Sequence, residues 1–291
     1  MEHSSKPDAC PICNSNEIRF IFDCPDHFLS GEVFQLFECN SCKARLTFPQ
    51  PPPTKIFDYY KSDEYVSHSD TQKGLINFAY QKVKTITLRQ KVALLNKRSP
   101  GKVLLDYGCG TGDFLQYAKT KGYKTIGLEP DQSARQLAAD KSLDVHSLEW
   151  VKDTPTQFDA ITLWHVLEHT YDPGEVLKSL RDKLTGKGIL VIAVPNYASY
   201  DANYYDTNWA AYDVPRHLFH FHPKTIDYLA EQLDMKLEAS IGMPFDSFYV
   251  SMLSEKYKKG NSLSGVITGL RSNIKARKSR NYSSLIYILR K

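Results

Sequence analysis

Residues 104–114 read LLDYGCGTGDF. An apolar run carrying Asp106 to its carboxyl end reads as a buried strand. Gly108, Gly110 and Gly112 then form a bend whose missing side chains let a ligand lie against the backbone at a helix N-terminus. A dinucleotide loop has the form G-x-G-x-x-G. Here the third glycine comes one residue early and an aspartate precedes the first, so the spacing disfavours NAD.

From Lys102 onward strands and helices alternate, which implies parallel strands covered on both faces. KVLLDYG is a strand, DFLQYAKTKG a helix, KTIGLEP a strand, QSARQLAADK a helix, and LDVHSL a short third strand. FDAITLW is the fourth, PGEVLKSLRDKL a helix, and GILVIAVPN the fifth. After a long loop PKTIDYLAEQL is helical, MKLEASIG extended and SSLIYILRK strand-like. Glu129, in GLEPD, follows the glycine bend by about 20 residues, where a carboxylate at a strand end can accept both hydroxyls of a ribose.

From Lys102 to the end the chain resembles the class I S-adenosylmethionine-dependent methyltransferases, whose first motif is an acidic residue followed by G-x-G-x-G and whose second acidic residue closes strand two. Asp106 with Gly108, Gly110 and Gly112 matches the first, and Glu129 the second. The resemblance implies a Rossmann-like α/β fold with a seven-stranded sheet and helices on both faces. It also implies an S-adenosylmethionine site at Asp106, Gly108, Cys109, Gly110, Gly112, Glu129 and Pro130. In related methyltransferases the segment after strand four flanks the cofactor, which adds Trp164 and His165.

That segment contains HVLEH, residues 165–169, a match to the H-x-x-E-H pattern of certain zinc peptidases. A peptidase needs the motif on a long helix, whereas Asp172-Pro173 ends this segment within a few residues. Two readings of His165, Glu168 and His169 stay open: on a helical turn they share one face and can hold a divalent metal, or they brace the loop by hydrogen bonds.

The second cluster is DVPRHLFHFHP, in the long loop after strand five, where this fold places its acceptor pocket. Methyl transfer is an in-line displacement, and an oxygen acceptor must also lose a proton. His217 is the chosen base, with Asp213 its orienter; the alternative is that Arg216, His217, His220 and His222 belong to loop packing. Tyr204, Tyr205, Trp209 and Tyr212 either cover the acceptor site or form loop core, and Tyr60, Tyr65 and His68 either form a lid or pack between domains.

Upstream, CPIC and CNSC place Cys10, Cys13, Cys39 and Cys42 in two C-x-x-C turns, the pattern of a tetrahedral, structural zinc site. Cys24 and Cys109 are spare. Residues 1–50 are thus expected to form a zinc ribbon, 51–101 a linker with a connecting helix or lid, and 102–291 the methyltransferase domain, with a basic insertion at 245–280.

The net charge of +4 hides an asymmetry, because residues 256–291 hold ten Lys or Arg and no acid, leaving −6 upstream. This tail is either a solvated basic surface or a contact for an anionic membrane through residues 256–280. Nucleic acid is disfavoured as a partner: between Cys10 and Cys42 the ribbon has one arginine against five acids. The WHVL segment also lacks the Asn/Asp-Pro-Pro-aromatic motif that goes with adenine methylation.

No apolar run approaches the ~20 residues needed to span a bilayer, and the N-terminus has no apolar leader core, so a soluble, cytoplasmic protein is expected. A zinc segment ahead of a methyltransferase domain with an RHLFHF loop resembles bacterial methyltransferases of surface-polysaccharide, lipid or secondary-metabolite pathways. The expected acceptor is therefore a small molecule, sugar or lipid-linked group, methylated on oxygen. An RNA or protein methyltransferase and a non-catalytic cofactor-binding scaffold are the alternatives.

Overall fold

The computed structural model describes residues 6–60 and 75–291, with side chains from residue 82 onward in the second block. The proposed lid residues Tyr65 and His68 lie outside the described residues. Three strands come first: β1 (Ile18–Pro25), β2 (Val33–Cys39) and β3 (Arg45–Phe48). A long helix α1 (Leu75–Arg98) leads to β4 (Val103–Tyr107), α2 (Asp113–Lys119), β5 (Lys124–Leu128), α3 (Gln132–Asp140) and β6 (Asp144–His146). Next come α4 (Trp150–Asp153), β7 (Phe158–Trp164), α5 (Pro173–Asp182) and β8 (Leu184–Pro195). The loop beyond β8 contains α6 (Tyr200–Tyr205) and β9 (Phe219–His220). The chain closes with α7 (Pro223–Gln232), β10 (Lys236–Gly242), the helical pair α8 (Asp246–Tyr257) and α9 (Ser262–Ser279), and β11 (Ser284–Arg290).

Seven strands form one sheet in the order β10-β11-β8-β7-β4-β5-β6, parallel from β8 to β6, with β11 antiparallel to both β8 and β10. Strand β8 is apolar through its middle: Ile189, Leu190, Val191, Ile192, Ala193 and Val194 are fully buried, as expected of a strand covered on both faces. The helices around the sheet begin where polar side chains can satisfy open N–H groups. Asp131 accepts from Ala134 N at the start of α3, and Asp172, followed by Pro173, accepts from Glu175 N at the start of α5. The connecting helix α1 docks through its later turns, where Val92 and Leu95 are buried against Leu104 and Phe114, whereas Ile86 is 39% exposed.

After β6 the chain crosses back to the far side of β4, so strand order reverses between β4 and β7. In open α/β sheets the crevice at such a reversal, beyond the carboxyl strand ends, is where ligands bind.

The second sheet has the order β1-β2-β3-β9 and is antiparallel. Its last strand belongs to the loop after β8: Arg45 pairs with His220 and Leu46 with Phe219. The N-terminal strands and the histidine-rich loop are thus one sheet, not separate modules. Among the described residues no helix is long and apolar enough to cross a membrane.

Candidate active site

The glycine bend emerges from β4 at the strand-order reversal. Gly108 and Gly110 have φ of 73° and 54°, a region that side chains with a Cβ rarely enter. A Cβ on Gly108 would lie 2.6 Å from Val166 Cγ2, so the bend packs directly on the HVLEH segment. Around Gly110 there is no atom within 4 Å of that position, which leaves room for a ligand, and its N–H donates to Glu129 Oε2 at 2.8 Å. Glu129 Oε1 accepts from Asp131 N at 3.0 Å, and burial raises its pKa despite these two bonds. Pro130 is exposed beside it, its carbonyl accepting from Arg135. The Cys109 thiol turns away, towards the position a Cβ on Gly127 would take.

Asp106 pairs across the sheet with Thr162, whose Oγ1 donates to Asp106 Oδ1 at 2.6 Å. Burial pushes the Asp106 pKa up to about 7 against that bond and the charge of Lys91. Lys91, on α1, places Nζ 4.2 Å from the Trp164 ring centroid, and burial lowers its pKa to about 8, opposed by Asp106 and Asp246. Trp164 meets Phe114 edge to face at 5.5 Å, and its Nε1 has no hydrogen-bond partner among the described residues. Lys91 was not among the candidates read from sequence. Its only sequence signal is one more lysine in a helix already rich in them.

His165 leaves β7 with φ of 56° and is held between two carboxylates, 3.3 Å from Glu168 Oε1 and 3.1 Å from Asp246 Oδ2 of α8. Burial opposes its charging, but the bonds to Asp246 and Glu168 outweigh this and lift its pKa to about 10. Residues 167–169 form one 3-10 turn, not a long helix, in keeping with the exclusion of a peptidase. Glu168 is 1% exposed, and its Oε2 has no hydrogen-bond partner among the described residues. Ligand atoms of Glu168, His169 and His217 lie within 4.8 Å of one another. His169 Nδ1 is 2.9 Å from the Arg216 carbonyl and 3.0 Å from Tyr60 Oη.

The surroundings of His217 fix the tautomer of its ring. Its Nδ1 lies 2.9 Å from the Ala211 carbonyl, which can only accept, so Nδ1 carries the proton and Nε2 keeps its lone pair. Burial, and then His169, lower the His217 pKa to about 4. Asp213 does not orient this ring. Its Oδ2 is 3.9 Å from Nε2, beyond hydrogen-bond reach, because Asp213 sits in a left-handed turn (φ 38°) and gives Oδ1 to Arg216. The other loop candidates are structural: His220 is buried against Thr47 Oγ1 at 3.0 Å, and His222 Nδ1 caps α7 by accepting from Lys224 N. Tyr205, Trp209 and Tyr212 are buried loop core, while Tyr204 is 46% exposed.

Arg216 explains how the loop is fixed. Its side chain is 1% exposed and ties Asp213 to Asp26, which is equally buried in the turn after β1, with Nη2 2.8 Å from an oxygen of each; Nη1 donates to the Tyr59 carbonyl. Thr47 Oγ1 of β3 also donates to the His217 carbonyl at 2.6 Å. The His217 backbone is therefore held from the N-terminal sheet.

A family model described as a methyltransferase domain matches residues 79–240. The chain belongs to this family. Among curated relatives, the methyltransferase is 30% identical over 105 residues to a ubiquinone biosynthesis O-methyltransferase of Aeromonas salmonicida, covering 33% of this chain and 44% of that one. It is 31% identical over 103 residues to the mitochondrial ubiquinone biosynthesis O-methyltransferase of Schizosaccharomyces pombe, covering 32% and 38%. The matched part thus spans less than half the length of these relatives. Among solved structures, the magnesium protoporphyrin IX methyltransferase of Synechocystis PCC 6803 with bound SAH superposes with a TM-score of 0.55 at 13% identity, covering 82% of this chain and 99% of that one. At that identity the likeness is one of fold, and the seven-stranded Rossmann-like sheet is the shared element.

At the other end of the methyltransferase, the Sγ atoms of Cys10 and Cys42 lie 3.6 Å apart and those of Cys13 and Cys39 3.4 Å apart, all four within 4.8 Å. A tetrahedral zinc with bonds of about 2.3 Å needs sulfurs about 3.8 Å apart, so this donor set fits the ion.

Proposed function

We propose that this chain is an S-adenosylmethionine-dependent methyltransferase acting on an oxygen of a small-molecule, sugar or lipid-linked acceptor. The observation carrying the reading is a continuous path: the glycine bend packs on Val166, and the turn that follows Val166 brings Glu168 and His169 against His217. A cofactor cradle and a neutral imidazole thus meet at one strand-order reversal. Gly110 would admit the cofactor backbone, while Gly108 and Gly112 let the bend pack on Val166 and Leu143; Glu129 would take its ribose hydroxyls, with Asp106, Cys109, Pro130 and Trp164 around it, and His165 would position this wall through Glu168 and Asp246. When bound, S-adenosylmethionine supplies an electrophilic methyl group on a sulfonium sulfur.

The chain's own work is then to align the acceptor and take its proton. His217 Nε2 would receive the acceptor hydroxyl proton, Ala211 would hold the ring, and the unpaired oxygen of Glu168 would stabilise the imidazolium, while the methyl exchanges its sulfonium bond for one to oxygen and the sulfur leaves as a neutral thioether. Glu168 replaces Asp213 in this partnership.

The test is incubation with methyl-labelled S-adenosylmethionine and fractionated cell extract. Label is expected in a metabolite or lipid fraction as an ether. Label in RNA or protein would select those acceptors, and cofactor binding without transfer to any fraction would make the chain a scaffold.

The four cysteines are proposed to hold one structural zinc, and residues 1–50, 51–101 and 102–291 to act as brace, connector and catalytic body of a cytoplasmic protein. Because β3 carries both the ribbon and the strap to His217, chelation is expected to release one zinc per chain and lower the melting temperature. It should also cut turnover far more than cofactor affinity. Metal analysis, thermal melts and calorimetry on the stripped protein check this, and metal-free protein with unchanged stability and turnover would remove zinc from the account.

A further inference from the structure

Helix α9 is inverted with respect to a helix packed on a water-soluble body. The side it buries is made of small and polar residues: Gly265, Thr268, Gly269, Ser272 and Ala276. That side sits tightly on α8, where a Cβ on Gly265 would lie 2.6 Å from Met252 Cα and one on Gly269 2.9 Å from Phe248 Cα. The side turned to solvent is apolar, with Leu263 69%, Val266 40%, Ile267 42%, Leu270 52% and Ile274 55% exposed. At 3.6 residues per turn these five fall within an arc of about 100°, opposite the buried face. Leaving such a stripe in water forfeits the burial that apolar side chains ordinarily gain, and a contiguous exposed stripe of this kind marks a contact surface.

The charges around the stripe decide what covers it. Arg271 and Lys278 flank one side, Arg277 lies at its C-terminal end, and no acidic residue occurs in residues 256–291. The acid just before them, Glu255, is buried and accepts from Tyr205 Oη. In a two-fold antiparallel contact between copies, the same flank meets itself and sets cations against cations with no acid to offset them. An anionic bilayer surface matches both features, taking the apolar stripe into the acyl boundary and the cations among its headgroups.

We propose that α9 is an interfacial helix that lays the protein on anionic lipid. This does not rest on methyl transfer, so its test is separate from that of the enzymatic reading. The inner face of α9 nevertheless ties the contact to the acceptor loop: Ser272 Oγ donates to the buried Asp201, which also accepts from Trp209 Nε1. A bilayer-seated α9 would present that loop close to lipid.

The experiment is co-sedimentation of the full, metal-loaded chain with phosphatidylglycerol-containing or pure phosphatidylcholine vesicles. Binding is expected to the former at low salt, falling as salt rises, and to be weak for the latter. Leu270→Glu with Ile274→Glu should weaken it more than tenfold by putting charge on the stripe. Arg271→Gln with Lys278→Gln should weaken it roughly thirty-fold through lost headgroup attraction. All four positions are exposed, so melting temperatures should match the parent and report on folding directly. No binding to anionic vesicles at low salt, equal binding to neutral ones, or variants that bind like the parent would each overturn the proposal. So would a dimer in gel filtration that Leu270→Glu dissociates, since a second copy would then own the face.

Discussion

Arg216→Ala is expected to lower the unfolding free energy by about 3–5 kcal/mol, because it strands a carboxylate in the interior. Asp26 has a fully buried side chain. Burial alone would raise its pKa; bonds from Arg216 and from the backbone and hydroxyl of Ser30 bring it below the ordinary range. A depressed folded pKa stabilises at pH values above the unfolded value of ~3.9, and that contribution disappears as pH falls through the folded value. In the variant this acid-side dependence should shrink and the denaturation midpoint should fall at pH 7. Arg216→Lys should rescue little, since a single ammonium cannot reach Asp26, Asp213 and the Tyr59 carbonyl together. A loss under about 1 kcal/mol would mean that the donors within residues 28–30 satisfy Asp26 unaided.

For His217→Ala we expect turnover to drop by about 10²–10⁴-fold with S-adenosylmethionine affinity intact, the range for loss of a positioned general base. Steady-state kinetics and calorimetry on one preparation separate the two effects, and equal turnover by the variant would remove the base. The pH profile is a second readout. Burial holds the folded His217 pKa near 4, so the ring is already neutral above that pH, and the acid limb it controls should fall near 4 instead of near 6.5. The stability linkage has a matching sign: an unfolded histidine gains its proton near 6.5 while the folded one resists until about 4. The contribution is therefore whole above 6.5 and wanes as pH drops through that window. His217→Ala should flatten this part of the stability curve.

The glycine bend and the two carboxylates beside it stood out in the sequence because their signals are local. Asp106, the three glycines and Glu129 lie within two adjacent strand ends, and backbone constraints at Gly108 and Gly110 write themselves into residue type. Alternation marked the parallel strands for the same reason, while the seven-stranded sheet was what the family resemblance implied. Contacts between distant segments left no such trace. Asp213 was read as the orienter of His217, yet the left-handed turn at Asp213 sends its carboxylate to Arg216. His165 was read as pocket lining, and Asp246, far along the chain, turns it into one side of a clamp. Composition disclosed a basic tail, whereas which side of α9 faces solvent depended on Gly265 and Gly269 meeting the backbone of α8.

The pairing of β3 with β9 bears on how the polypeptide matures during synthesis. A ribosome releases residues 45–48 long before residues 219–220, so the nascent N-terminal sheet spends most of translation with one strand margin unsatisfied. Closing so distant a pair is slow by topology, and it is the step that seats the imidazole. The histidine-rich loop can therefore complete the N-terminal sheet only once β9 has emerged, and chains that end before it keep an open strand margin.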